Sequence, residues 1–332
     1  MKDFGLVLAS IGLTAATWGA YGPLMRFGTT GMKGSHLLPF ICVGVAYFLI
    51  AVLVPAVLLW LRGEVGKWTV KGTTWSVIAG AAGAVGALGI ILAFSNGGSP
   101  IYVMPLVFGL APVVNTFVTM YMSKTYKEAG PIFYAGLILV IVGAATVLVF
   151  NPAGAQAKAI SFADLIKVIL CAGLTALCWG GYGPVLHKGQ MLMQGSRLRP
   201  FMCVGVAYFL VAVIVPLLLR PLLGDHGEVT ADGVWWSLAG GSAGAFGALG
   251  IILAFTFGGK PVFVMPLVFG GAPVVNTFIS IFLAKNLGEI SPLFFAGLIV
   301  VVAGAVTVLI FAPKAHGKPP GKPVGAPAPQ HT

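Results

Sequence analysis

Ala111-Pro112-Val113-Val114-Asn115-Thr116-Phe117 returns letter for letter as Ala272-Pro273-Val274-Val275-Asn276-Thr277-Phe278. The offset is 161 residues, and it holds without a gap from Leu13/Leu174 to Phe150/Phe311. Of those 138 aligned positions, 80 are identical. The chain is therefore one unit written twice. Trp18-Gly19-Ala20-Tyr21-Gly22-Pro23 has its counterpart in Trp179-Gly180-Gly181-Tyr182-Gly183-Pro184, and Val103–Gly109 is repeated as Val264–Gly270.

Each copy reads as five apolar runs. In the first they are 4–25, 37–61, 73–95, 100–122 and 131–150; in the second, 163–186, 198–220, 233–256, 261–284 and 292–311. A span needs roughly 20 apolar residues to cross the hydrocarbon. Only 8% of the 332 residues are charged and 58% are hydrophobic. A soluble domain carries about 25% charged residues, so the solvent of this chain is lipid. The expected fold class is an all-α integral membrane protein of ten transmembrane helices, arranged as two inverted five-helix repeats. Residues 1–151 form the first repeat, 152–162 a linker, and 163–311 the second repeat. Residues 312–332 form a disordered tail rich in Pro, Gly and Lys. The first run is read as a retained helix, because its counterpart lies deep in the chain.

Five is an odd number, so the second copy must enter the bilayer from the opposite side. Loop charges agree with this. With the N-terminus in the cytoplasm, thirteen Lys and Arg face inward and six face outward, the bias expected of cytoplasmic loops. In each of four matched loop pairs the inward copy is the more basic. This places both termini in the cytoplasm and the protein in the plasma (inner) membrane. The net charge of +11 is a topology signal, with no stacking aromatics beside it to suggest nucleic acid.

Several patterns point to a site. Helices 3 and 8 carry glycine every third residue, at 80, 83, 86 and 89 and at 241, 244, 247 and 250. Such a stripe serves close packing or a rocking contact. Pro105 and Pro112, then Pro266 and Pro273, interrupt helices 4 and 9 and are expected to kink them. Just beyond lie Asn115-Thr116 and Asn276-Thr277, which either tie helices together or line a midplane cavity. Thr14, Trp18, Tyr21 and Met25 share one face of helix 1, and Thr175, Trp179 and Tyr182 repeat it in helix 6. Tyr47 and Tyr208 add an aromatic in helices 2 and 7. The expected substrate-binding residues are Trp18, Tyr21, Tyr47, Asn115, Thr116, Trp179, Tyr182, Tyr208, Asn276 and Thr277. With helix 1 ending at residue 25, Trp18 falls in the outer half and Trp179 in the inner half. Two separate gates of aromatic plus amide then flank one site.

No Asp or Glu lies near a span centre, whereas proton relays use intramembrane acids. Arg26 and His187 stand at the edges, and Lys124 and Lys285 end helices 4 and 9 beside Glu128 and Glu289. Cys42, Cys171, Cys178 and Cys203 form no CxxC, and read as small packing residues. No hydrolase, P-loop or metal motif occurs. The reading is of a protein that is not an enzyme and takes no cofactor or metal.

Together these residues resemble the drug/metabolite transporter superfamily, in particular its EamA-like branch. The likeness covers residues 4–311. It rests on Trp18-Gly19 and Trp179-Gly180, the proline-bearing fourth helix of each half, and a helix-end Glu followed by Pro and two glycines (Glu128, Pro131, Gly136, Gly143; Glu289, Pro292, Gly297, Gly304). Lys127 departs from the pattern, standing where the second half has Gly288. The resemblance implies a secondary transporter of small organic solutes, with helices 1–4 and 6–9 around a central cavity and helices 5 and 10 peripheral, as a homodimer contact. The expected activity is alternating-access movement of a small polar metabolite, neutral or zwitterionic. Its rivals are a non-transporting scaffold or assembly component, and a channel, for which the polar residues are too few.

Overall fold

The structure is a computed structural model that describes residues 4–32, 35–125, 129–150, 160–222, 224–225, 227–259, 261–284 and 291–311. Linker residues 152–159, the tail 312–332, and Lys127, Glu128, Lys260, Lys285, Gly288 and Glu289 lie outside the described residues. The described residues form ten helical rods and no strand: α1 (Phe4–Gly31), α2 (Leu37–Arg62), α3 (Val70–Ser95), α4 (Pro100–Ser123), α5 (Pro131–Val149), α6 (Phe162–Leu192), α7 (Leu198–Leu219), α8 (Ala231–Thr256), α9 (Pro261–Ala284) and α10 (Pro292–Ile310).

Seven rods are long and apolar enough to cross a bilayer; 131–147, 267–283 and 292–308 are apolar but shorter. Leu170, Leu177 and Ile299, each more than 60% exposed, point outward from the bundle. Water would penalise such a surface, and lipid would not. The chain is an all-α membrane protein.

α1 and α6 run well past the expected ends at residues 25 and 186, through Pro23 and Pro184. A proline removes one backbone bond, and packing can outweigh that loss. Here Gly28 and Gly31 let the last turns of α1 lie directly on Ser237 and Gly233 of α8. Gly189 of α6 meets Ser76 of α3 in the same way. The longer α1 moves Trp18 to the middle of its helix.

α4 and α9 are helical over 24 residues each, with Pro105 and Pro112 inside α4. α2 and α7 carry an irregularity of their own. Each contains a π-helical turn, Phe48–Leu53 and Leu210–Ile214, just before Pro55 and Pro216. These prolines lack the N–H that would close the regular turn.

Contacts between the halves occur twice with roles exchanged, which is two-fold symmetry. α1 lies along α8, and α6 along α3. The glycine stripes explain how. A three-residue repeat in a 3.6-residue helix turns by about 60° per step, so the stripe winds from one neighbour to the next. Gly80 and Gly83 face Val204, Ala207 and Tyr208 of α7; Gly86 and Gly89 face Trp179 and Thr175 of α6. Gly241 and Gly244 face Val43, Ala46 and Tyr47 of α2, while Gly247 and Gly250 face Trp18 and Thr14 of α1. α5 and α10 pack on each other and, through Val301, on Gly109 of α4. Gly136, Gly143, Gly297 and Gly304 line their contact, so these small-residue faces are used within the chain.

Candidate functional site

Four pairs of counterparts meet each other on the two-fold axis. Tyr47 and Tyr208 stack with centroids 3.6 Å apart and planes 2° from parallel. Trp18 and Trp179 stack at 6.3 Å. Phe48 meets Phe209 at 4.6 Å, and Phe108 meets Phe269 at 6.4 Å. Edge contacts tie the set together, Trp18 to Tyr182 at 6.4 Å and Tyr21 to Trp179 at 5.7 Å. Aromatic pairs of this kind add about 0.5–1.5 kcal/mol each beyond the area they bury.

The rings are held by backbone. Trp18 Nε1 donates to Gly244 O, and Trp179 Nε1 donates to Gly83 O, both at 3.2 Å. Thr14 Oγ1 donates to Gly247 O at 3.1 Å, and Thr175 Oγ1 to Gly86 O at 2.9 Å. A Cβ at Gly247 or Gly86 would overlap an indole ring. Each Trp therefore lies on a glycine trough in the opposite half, with its N–H spent on that helix.

Trp18, Tyr21, Tyr47, Trp179, Tyr182 and Tyr208 line one small cavity, floored by Gly83 and Gly244. It leaves about 20 Å³ for the centre of a water, room for roughly one molecule. The hydroxyls of Tyr21 and Tyr182 are buried there and have no hydrogen-bond partner among the described residues. No charged side chain among the described residues lines it. Six of the ten expected binding residues are thus brought together. The expected pair of aromatic gates is instead one cluster, because Trp18 and Trp179 meet at the same depth.

The four polar residues lie elsewhere. Asn276 Nδ2 donates to Pro100 O at 2.9 Å, and its Oδ1 faces Gly22 of α1. Asn115 Oδ1 faces Gly183 of α6. Thr116 Oγ1 donates to Pro112 O at 2.9 Å, back into its own helix. Thr277 borders an apolar groove between α9 and α10, with Val274, Phe278, Leu298 and Ile299. Pro105, Pro112 and Pro273 are buried but do not line the cavity; the Pro266 side chain lies outside the described ones. Arg26 Nη1 donates to Phe94 O at 2.8 Å at the end of α3. Its counterpart His187 sits edge-on to Phe255, the counterpart of Phe94, at 5.1 Å. All four cysteines are free thiols, and the described residues hold no cluster suited to a metal.

The sequence reading missed Gly83 and Gly244 as part of the site, together with Phe108 and Phe269. Their signal was the glycine stripe, whose winding points it at two neighbours. It also missed the π turns beside the cavity, although Pro55 and Pro216 occupy matching positions.

No protein-family model matches the chain, and no curated protein does. Eighteen chains of solved structures match its fold. One, described only as "Crystal structure of protein", aligns with a TM-score of 0.60 at 16% identity, over 92% of this chain and 98% of that one. The likeness is of fold.

Proposed function

We propose that this chain is a secondary transporter of a small polar metabolite, neutral or zwitterionic, working by alternating access in the plasma (inner) membrane. The observation that carries the reading is the aromatic cavity between two exchanged halves, near the midpoints of α1 and α6. A site shared equally by two rocking halves can be offered to either side in turn. Inversion is supported by the antiparallel course of α2 and α7. The segment following each one returns to the start of the other. All ten rods cross the bilayer in this reading, with both termini cytoplasmic. The family resemblance of the sequence points the same way, to the EamA-like drug/metabolite transporters.

The lining narrows the substrate's demands. Ring faces favour flat or apolar surface, and the two free phenols offer neutral hydrogen bonds. With no charged side chain among the described lining residues, the cavity offers an anion no compensating charge for the water it would lose. A scaffold is the second reading, favoured by the tight helix packing, but it has no use for two buried, unpaired hydroxyls, each of which costs about 1–3 kcal/mol.

Thermal unfolding of the purified protein against sugars, amino acids and nucleosides tests the proposal. A stabilising compound whose effect disappears in Tyr21→Phe and Tyr182→Phe supports it. No stabilisation by any compound, with no uptake into proteoliposomes, favours the scaffold.

A further inference from the structure

Two acids outside the cavity form a matched set. Glu64 follows α2, and its counterpart Asp225 follows α7. The Glu64 side chain is only 6% exposed. Its carboxylate accepts from Arg197 N at 2.8 Å, Leu198 N at 3.2 Å and the Ser196 hydroxyl. Those groups begin α7, in the other half. Asp225, 7% exposed, accepts from His36 N at 2.9 Å and Leu37 N at 3.1 Å, which begin α2. Each acid thus neutralises the positive end of a helix belonging to the opposite half. A threonine reinforces each join. Thr69 Oγ1 donates to Leu192 O at 3.1 Å, and Thr230 Oγ1 to Gly31 O at 2.9 Å.

The two joins stand at opposite ends of α2, whose 26 residues span about 39 Å. The aromatic cavity lies between them. The two joins differ in their cations. Glu64 pairs across the halves with Arg197 at 3.4 Å and Arg199 at 3.5 Å. Asp225 pairs with Arg220, from its own half, at 3.3 Å.

We infer that Glu64 and Asp225 are the latches of alternating access, each holding the halves together at one face, and that this structure has both fastened. Opening a face breaks one latch while the other serves as the hinge. Losing one acid removes the side-chain acceptor that ties the start of a helix to the opposite half and, at Glu64, the partner of two arginines, so the face it guards is released. The glutamate latch is the stronger, since its ion pairs cross the halves. The inference rests on the transporter reading for its purpose, but its test needs no substrate.

Spin-label distances in the full chain, reconstituted in nanodiscs, provide that test. Lys67 and Met191 are exposed beside the Glu64 latch, and their counterparts Glu228 and Thr30 lie beside the Asp225 latch. Glu64→Ala should lengthen the 67–191 distance and leave 30–228 unchanged. Asp225→Ala should do the reverse. Glu64→Gln and Asp225→Asn keep the side-chain shape and serve if an alanine variant fails to fold. Distances that do not change, or that change alike at both ends, overturn the inference. A face-selective shift without uptake of any solute leaves the latches standing and sinks the transporter reading.

Discussion

Tyr47 and Tyr208 are the same residue of the two halves, and they lie face to face on the axis, 3.6 Å apart and parallel within 2°. Nothing separates their environments except the differences between the repeats. Tyr47→Ala and Tyr208→Ala should therefore cost nearly the same, about 3 kcal/mol each by analogy with other buried aromatics. Chemical unfolding in detergent measures this. Markedly unequal losses would show that the halves do not share the stack equally.

Tyr21 and Tyr182 carry hydroxyls with no partner among the described residues. Removing such a group relieves a penalty of roughly 1–3 kcal/mol. Tyr21→Phe and Tyr182→Phe should leave the melting temperature unchanged or raised, while abolishing stabilisation by a bound solute. Lower melting points for both would mean that the hydroxyls have structural partners.

Gly247 and Gly86 seat the indoles of Trp18 and Trp179. Gly247→Ala or Gly86→Ala should destabilise by about 1–3 kcal/mol, the usual cost of overpacking. Gly5→Ala and Gly12→Ala, where a Cβ meets nothing, should be neutral or slightly stabilising in a helix. Melting curves of the four variants make the comparison.

Asp225 sits outside the spanning helices. Burial pushes its carboxyl up, but bonds from Ser35, Leu37, His36 and Arg220 outweigh this and hold it below the ordinary aspartate range. Among the described residues, the charged or titratable ones against it are Arg220 and His36. A depressed carboxyl stabilises its join fully above the ordinary aspartate pKa, and that contribution is lost as pH falls through the lower, folded value. The 30–228 distance should stay constant from neutrality down to the ordinary aspartate range and lengthen below it. Asp225→Asn should remove the response; spin-label distances taken across the titration check both.

The helix count was legible because apolar runs and turn residues repeat in register. The aromatic residues were legible as one face of α1 and α6, since Trp18 and Tyr21 are three apart. Their meeting was not. It depends on each indole lying on a glycine stripe of the opposite half, Trp18 on α8, 226 residues away, and Trp179 on α3, 96 residues away. The asparagines drew attention as the most polar side chains within their helices, but polarity alone does not say which neighbour they face. Asn276 faces Pro100 and Gly22. Glu64 and Asp225 were read only as loop acids. Each carboxylate lies beside the start of a helix in the other half, 132–134 residues away for Glu64 and 188–189 for Asp225, and no local pattern encodes that.

The central claim is that the halves face opposite compartments around a shared cavity. Lys67 and Glu228 are counterparts, so single cysteines at these two positions, in a background lacking the four native ones, test it most directly. An impermeant thiol reagent applied to intact cells should modify Glu228→Cys and spare Lys67→Cys until the membrane is opened. Equal labelling of both from one side would contradict the account.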